Sequence, residues 1–354
     1  MTGEFTDTGI AVLGPFPPRP GGVSVQCAIL ADQLQSAGAI VTRINTDVPS
    51  LRSRGRLGRW LLPFAQILSL IWQLWRTRKQ WDILHVHPAS WWGFMPAVVG
   101  LMAKSWGTRL VMSYHGGSIA KFFADWTWLV RPVLRRYDAI LALTPTHALV
   151  FEQYGFHVQI VPNIVPVEIF SFRPRGPLSP NILWLRQLEA RYRPDDALQI
   201  FAAVQVIHPD ATLTMAGGGT LAAQITKEIA DHGWDGVTLT GHLPDADIPV
   251  AYNAADIFLN TSASDNQPQT LIEASASGLP VVSSDAGGIP DLIANGENGL
   301  LAPVGDANAL TDAILRLLDD ADLARSLSIS AHQNAERFAW PQVAPQLAKA
   351  YQLQ

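Results

Sequence analysis

Residues 261–293 read TSASDNQPQTLIEASASGLPVVSSDAGGIPDLI, and the order of elements within them decides the fold class. The apolar run Ile257 to Leu259 just upstream predicts a strand, and SASDNQP after it is a loop of turn-forming residues. Leu271, Ile272, Ala274 and Ala276 place a short helix that stops at Gly278. Leu279 to Val282 is a buried strand, and the turn Ala286 to Gly288 opens a second helix over Ile289 to Ile293. Strand, helix, strand, helix in so short a stretch is the alternation of a parallel α/β sheet. Both helices start at strand ends. They present unpaired N–H groups and about half a positive charge on one side, which suits a phosphate-bearing ligand. Pro268 fits a first helical turn, where its missing N–H costs nothing.

Asp265, seven intervening residues, Glu273, an alanine and small residues, G-x-P-V-V and a Gly-Gly turn follow one another here. This order resembles the signature of retaining, Leloir-type glycosyltransferases of family 4, which have a GT-B fold. The usual first acidic residue is Glu, so Asp265 departs from the pattern by one methylene. The resemblance runs over nearly the whole chain. It implies an α/β, GT-B architecture: two Rossmann-like domains facing each other across a cleft, with a C-terminal helix crossing back to the first. The domains expected are an acceptor-side domain over 1–165, a linker over 166–180, a donor-binding domain over 181–338 and a closing helix over 339–354.

Bulk properties agree with a two-domain globular chain: 354 residues, 48% hydrophobic and 16% charged. The lone Cys27 excludes a disulfide framework, and the N-terminus lacks the layout of a signal peptide, which points to a reducing, cytoplasmic setting. No stretch reaches the ~20 apolar residues of a spanning helix. Trp60 to Trp75 comes nearest but contains Pro63, Gln66, Ser69 and Gln73. Residues 1–165 carry 15 basic against 8 acidic side chains, a net +7, and the remainder carries 10 against 22, a net −12. No nucleic-acid recognition motif accompanies the basic half.

The first half opens with strand Ile10 to Leu13 and a stiff loop, GPFPPRPGG, at 14–22, before a helix over Val23 to Ala37. Read alone this is a βα turn; in the resemblance Gly21 and Gly22 form the donor-diphosphate loop. Residues 50–81 give an Arg-, Lys- and Trp-rich amphipathic helix, and most of the twelve tryptophans fall between Trp60 and Trp128. Two readings stand: a core helix with solvated ends, or an interfacial helix on anionic lipid, with Trp at headgroup level. SWWGFMP at 90–96 and KFFADWTWLVRPVLRR at 121–136 favour a peripheral membrane face and a lipid-linked acceptor. Strand DILHV, residues 82–86, precedes His87, and strand Arg109 to Tyr114 precedes HGG at 115–117. Ligands in open α/β sheets bind beyond strand carboxyl ends, which makes His115 a candidate; a histidine inside a parallel strand is more often packing than chemistry, and His85 stays unassigned. The resemblance gives His115 a contact to the donor sugar.

The second half restarts with strand Ile182 to Leu185, then RQLEARYRPDDAL. Family members carry an Arg and a Lys here that grip the diphosphate. This chain offers Arg186 with Arg191 or Arg193 and no lysine; guanidinium is a bidentate phosphate partner. AGGGT at 216–220 is not a G-x-G-x-x-G fingerprint, and the resemblance puts Gly217 near the nucleotide. The resemblance further gives Glu273 the ribose hydroxyls, Asp265 the sugar hydroxyls, and the amides of Gln269, Thr270 and Leu271 the phosphate or sugar. The implied reaction moves a sugar from a UDP-, GDP- or similar nucleotide sugar to a glycan or lipid-linked acceptor, in cell-surface polysaccharide or glycolipid synthesis. No cofactor and no obligatory metal are expected. The alternatives are a catalytically silent nucleotide-sugar binder and a GT-B epimerase; a phosphorylase is disfavoured because Lys227 and Lys349, the two lysines of the second half, lie outside site-like loops.

Overall fold

The computed structural model describes residues 4–18, 21–47, 55–117 and 119–353, with the backbone alone for 55–62. Arg19 and Pro20 of the glycine loop, and Arg52 and Arg54 ahead of the basic helix, lie outside the described residues, as do the side chains of Arg56, Arg59 and Trp60. The chain divides into two compact units, Met1–Ile164 with Trp340–Gln354, and Val165–Ala339.

The first unit alternates strand and helix: β1 (Gly9–Gly14), α1 (Gly22–Ser36), β2 (Ile40–Asn45), α2 (Gly55–Thr77), β3 (Ile83–Val86), α3 (Met95–Gly100), β4 (Arg109–Ser113), α4 (Ile119–Leu134), β5 (Ala139–Ala142), α5 (Pro145–Gln153) and β6 (Gln159–Ile160). All pairings are parallel, in the order β2-β1-β3-β4-β5-β6. A parallel sheet covered on both faces needs strands that are apolar throughout, and β1 (GIAVLG) is buried along its length. Because side chains alternate along a strand, its residues divide between two cores. Ala11 and Leu13 join Leu84, Val86, Leu110 and Met112 on one face. Ile10 and Val12 join Leu30 and Leu34 of α1 on the other.

The second unit contains β7 (Asn181–Leu185), α6 (Pro194–Ile207), β8 (Thr212–Ala216), α7 (Ala222–His232), β9 (Val237–Gly241), α8 (Ile248–Ala254), β10 (Ile257–Asn260), α9 (Gln269–Ala276), β11 (Val281–Ser284), β12 (Leu300–Ala302), α10 (Ala307–Asp319) and α11 (Ala321–Ala335). Its parallel sheet runs β12-β11-β10-β7-β8-β9. Helix α12 (Trp340–Tyr351) then returns to the first unit, where Val343, Leu347 and Tyr351 are buried. Arg109 donates to the Ala350 carbonyl at 2.9 and 3.1 Å, a cation on the last turn of that helix.

Two local expectations change. Pro268 caps α9 from outside, and the helix begins at Gln269. The second helix expected at Ile289 to Ile293 is a three-residue 3-10 turn, Ile289–Asp291. Asn298 stops it. Its Oδ1 accepts from the Ala294 N–H at 2.7 Å and its Nδ2 donates to the Leu292 carbonyl at 3.1 Å, taking groups that helix continuation would use. Of the two helix starts expected in this stretch, only that of α9 is present.

Candidate active site

In the second unit the strand order reverses between β7 and β10, the place where open α/β sheets leave a crevice beyond their carboxyl ends. The residue after β7 is Arg186 and the last residue of β10 is Asn260, so chain topology alone brings them together. Arg186 Nε donates to Asn260 Oδ1 at 3.1 Å, and its Nη2 lies 3.0 Å from Asp265 Oδ2. That ion pair lacks hydrogen-bond alignment: Arg186 Nη2 is buried with no hydrogen-bond partner among the described residues. The guanidinium stands over the Tyr192 ring at 5.1 Å, and exposed Arg191 covers the same ring at 4.5 Å. Fully buried Asn260 also donates to Ser283 Oγ at 2.8 Å and accepts from Ser262 Oγ at 2.7 Å, linking β10 to β11 and the loop.

The glycine-rich turn after β8 supports this arginine from behind. Gly217 has φ +139°, and a Cβ there would stand 1.9 Å from the Arg186 carbonyl oxygen. Backbone bonds from Arg186 N–H to the Ala216 carbonyl and from Leu188 N–H to the Gly218 carbonyl, both 3.0 Å, lock the two loops together. Gly287 does the same for Asp265, whose carbonyl would be 2.1 Å from a Cβ at Gly287 and accepts the Gly288 N–H at 3.0 Å. Arg193, one of the three candidate arginines, is committed elsewhere: it donates through Nε and Nη2 to Asp196 at 2.5 and 3.0 Å, bracing the start of α6.

At the head of α9, Glu273 lies one turn inside the helix. Tyr252 of α8, fully buried, places its hydroxyl 2.8 Å from Glu273 Oε2 and 3.1 Å from the Thr270 carbonyl. Burial pushes the Glu273 carboxyl above the usual carboxylate range, while the Tyr252 hydrogen bond and the Arg186 charge pull against it. Gln269 Nε2 and Thr270 Oγ1 are buried beside it with no hydrogen-bond partner among the described residues. Leu271 differs from expectation. Its side chain is core, and its N–H closes a turn onto the Pro268 carbonyl at 3.2 Å, so the amides at the head of α9 are those of Gln269 and Thr270.

The first unit has its own reversal between β1 and β3. Gly21 and Gly22, both exposed, precede and begin α1, and Ser24 Oγ donates to the Gly21 carbonyl at 2.9 Å. His87 follows β3 and His115 follows β4; His87 Nδ1 and His115 Nε2 are 2.9 Å apart, with ring centroids at 5.2 Å. His85, unassigned from sequence, is buried, and its ring nitrogens meet Tyr351 Oη at 2.7 Å and Ser113 Oγ at 2.8 Å. Burial, then the neighbouring His147 charge, lowers His115 to about 3, and burial with the His115 charge lowers His85 to about 3. Burial and both neighbouring histidines hold His87 well below the usual imidazole range. All three rings are neutral near pH 7.

The sequence reading missed Tyr192, Tyr252 and Asn260. Asn260 left a trace, a lone amide closing the apolar strand IFLN. Tyr252 stands in the run AYNAADIFL, and its place at the site shows only once α8 is seen against α9.

Comparison with known proteins places this geometry. An exopolysaccharide phosphotransferase of Streptomyces coelicolor is 33% identical over 210 residues, covering 57% of this chain and 22% of that one. The chain thus spans about a fifth of that relative. An N-acetyl-alpha-D-glucosaminyl L-malate synthase of Bacillus anthracis is 26% identical over 295 residues, 77% of this chain and 75% of the other. Among solved structures, sucrose-phosphate synthase from Thermosynechococcus elongatus superposes with TM-score 0.81 at 20% identity, over 97% of this chain and 98% of that one. Anabaena HepE in complex with UDP-glucose superposes with TM-score 0.76 at 17% identity, over 97% and 99%. Residues 20–169 match Glycosyltransferase Family 4 and residues 173–334 match Glycosyl transferases group 1, and the chain belongs to this family of GT-B glycosyltransferases.

Proposed function

We propose that this glycosyltransferase moves a hexosyl unit, with retention, from a nucleoside diphosphate sugar to a glycan or lipid-linked acceptor in cell-surface polysaccharide or glycolipid synthesis. The observation that carries the donor assignment is a pair of buried polar atoms at the head of α9 with no hydrogen-bond partner among the described residues, Gln269 Nε2 and Thr270 Oγ1, with the Arg186 guanidinium, ion-paired to Asp265 at 3.0 Å, as the nearby cation. Buried polar groups are nearly always satisfied, so two orphans beside one helix N-terminus support a polar ligand that completes them. In this reading Glu273 accepts the ribose hydroxyls and Asp265 the sugar hydroxyls. Arg186, Arg191 and the Gln269 and Thr270 amides neutralise the diphosphate. His115, Gly21 and Gly22 serve the sugar and diphosphate from the first unit. The bond from the anomeric carbon to the diphosphate oxygen breaks, the acceptor oxygen bonds to that carbon, and its proton passes to the departing diphosphate. The protein's contribution is charge stabilisation on the leaving group, with no metal in the scheme.

Thermal shift with UDP, GDP, ADP, dTDP and their sugars, with Glu273→Ala as control, tests the pocket. Stabilisation by one nucleotide that vanishes in Glu273→Ala supports it, and no shift with any of them sinks it. A second reading, a catalytically silent sugar-nucleotide binder, draws on Asp265. That carboxylate is already occupied by Arg186 at 3.0 Å and the Asn266 N–H at 2.9 Å. Nucleotide binding without transfer to any acceptor would favour it.

We assign the acceptor side to the cytoplasmic face of an anionic membrane. No helix among the described residues is long and apolar enough to cross a bilayer. Yet α2 exposes Phe64, Leu68, Trp72 and Trp75, which at 100° per residue fall within an arc of about 80°. Its buried Leu70 and Leu74 face another side. Arg76 and Arg78 lie over the Trp72 and Trp75 rings, with no acidic residue between Asp47 and Asp82. Co-sedimentation with phosphatidylserine vesicles, lost in Trp72→Ser/Trp75→Ser, is the expected result; equal binding by the double variant would refute this face.

A further inference from the structure

We infer that His87 is a positioning residue that fixes the tautomer of His115, so that His115 meets its ligand carrying its proton on Nδ1. The inference rests on the assignment of His115 to the donor sugar. Its basis is one contact and one orphan. His87 Nδ1 and His115 Nε2 are 2.9 Å apart, so one nitrogen carries the shared proton and the other accepts it. His87 is 5% exposed, and its Nε2 is buried with no hydrogen-bond partner among the described residues.

Two arrangements satisfy the contact with both rings neutral. If His115 donates from Nε2, His87 accepts on Nδ1 and must hold its own proton on Nε2, which creates a buried N–H with no acceptor. If His87 donates from Nδ1, its Nε2 is a bare ring nitrogen, and His115 holds its proton on Nδ1. Orphaned buried N–H groups are rarer and costlier than under-used acceptors. The second arrangement prevails.

The surroundings keep His87 in this role. Its N–H donates to the Leu13 carbonyl at 2.9 Å, and its ring lies between that of His85, tilted at 4.3 Å between centroids, and that of His115, stacked at 5.2 Å. His85 is itself held at both nitrogens by Tyr351 and Ser113. His115 is anchored through its N–H to the Pro88 carbonyl at 3.0 Å, next to His87 in sequence, so the two rings share one backbone frame.

The test is long-range ¹H–¹⁵N correlation on the full chain labelled with ¹⁵N-histidine, assigned by single substitutions. The expected spectrum shows His115 with Nδ1 protonated and Nε2 bare. A protonated His115 Nε2 in the wild-type protein overturns the inference without any activity being measured. His87→Asn, whose side-chain amide stands near the original Nδ1, should keep the His115 tautomer and turnover. His87→Phe should release the tautomer and lower kcat on the order of tenfold, with the thermal shift by nucleoside diphosphate unchanged. A His115 tautomer indifferent to His87→Phe also overturns it. Because the spectrum is read apart from transfer, failure of the donor assignment and failure of this one look different.

Discussion

Tyr252→Phe isolates one hydroxyl that joins two helices of the second unit. In the structure that hydroxyl has a single proton and two acceptors, Glu273 Oε2 at 2.8 Å and the Thr270 carbonyl at 3.1 Å. The shorter contact and the carboxylate charge assign the proton to Glu273. A hydrogen bond to a charged acceptor is worth about 1.5–3 kcal/mol, against about 0.5–1.5 kcal/mol for a neutral one. Phe removes only an oxygen, so no volume is overfilled. The penalty should therefore lie near 2 kcal/mol when Glu273 is ionised and fall as it is protonated. The sign of the pH dependence follows from the carboxyl itself. Its folded value is raised by burial, so the group contributes stability present below its unfolded value and lost as pH rises through its folded one. Tyr252 opposes that loss, and deleting it steepens the decline. Urea unfolding of both proteins at pH 8 and pH 4 reads the difference. Equal penalties at the two pH values would show that the hydroxyl serves the Thr270 carbonyl, and the reasoning fails.

Other substitutions divide the site in the same way. Gly217→Ala puts a methyl into the Arg186 carbonyl at a φ of +139° and should cost upwards of about 3 kcal/mol, whereas Gly218→Ala, with nothing within 4 Å of its Cβ, should stay within about 0.5 kcal/mol; thermal melts compare them. Arg175→Leu should destabilise by about 3–5 kcal/mol, because this buried guanidinium donates to the carbonyls of Arg173, Tyr252, Ala255 and Ser277; urea midpoints check it. Arg186→Ala should weaken nucleoside diphosphate binding about 10–100-fold by calorimetry, and exposed Arg191→Ala by less than about tenfold.

What the sequence showed follows from how local each signal is. Continuous apolar runs such as IAVL and ILHV announce parallel strands because both faces of such a strand are covered. A helix after a Pro and before a Gly needs only its own residues, so α9 and Gly278 were legible. Position 175 was not: a Pro-rich, polar stretch reads as a linker, yet Arg175 is 1% exposed, held by the carbonyls of Tyr252 in α8 and Ser277 just past α9, which lie far along the chain. The loop at 186–193 offered three equivalent arginines. Only the fold separates Arg186 at a strand end from Arg193, which is spent on Asp196 three residues away. Glycine at 217 signalled a close approach, but what approaches, the carbonyl of Arg186, is a tertiary fact.

The return of α12 has a consequence for how the protein is made. The second unit is an insertion in the first, and its ends are pinned by a backbone bond, Val165 N–H to the Phe338 carbonyl at 3.0 Å. In chain order the inserted unit is complete before its host is. The sheet face around Val12 and Val111 lacks Val343, Leu347 and Tyr351 until α12 is made. Once folded, the insertion holds those ends together, so the late helix arrives beside the gap it fills without a long loop to close. A chain cut after Ala339 should accordingly protect the second unit from protease and leave the first open to it.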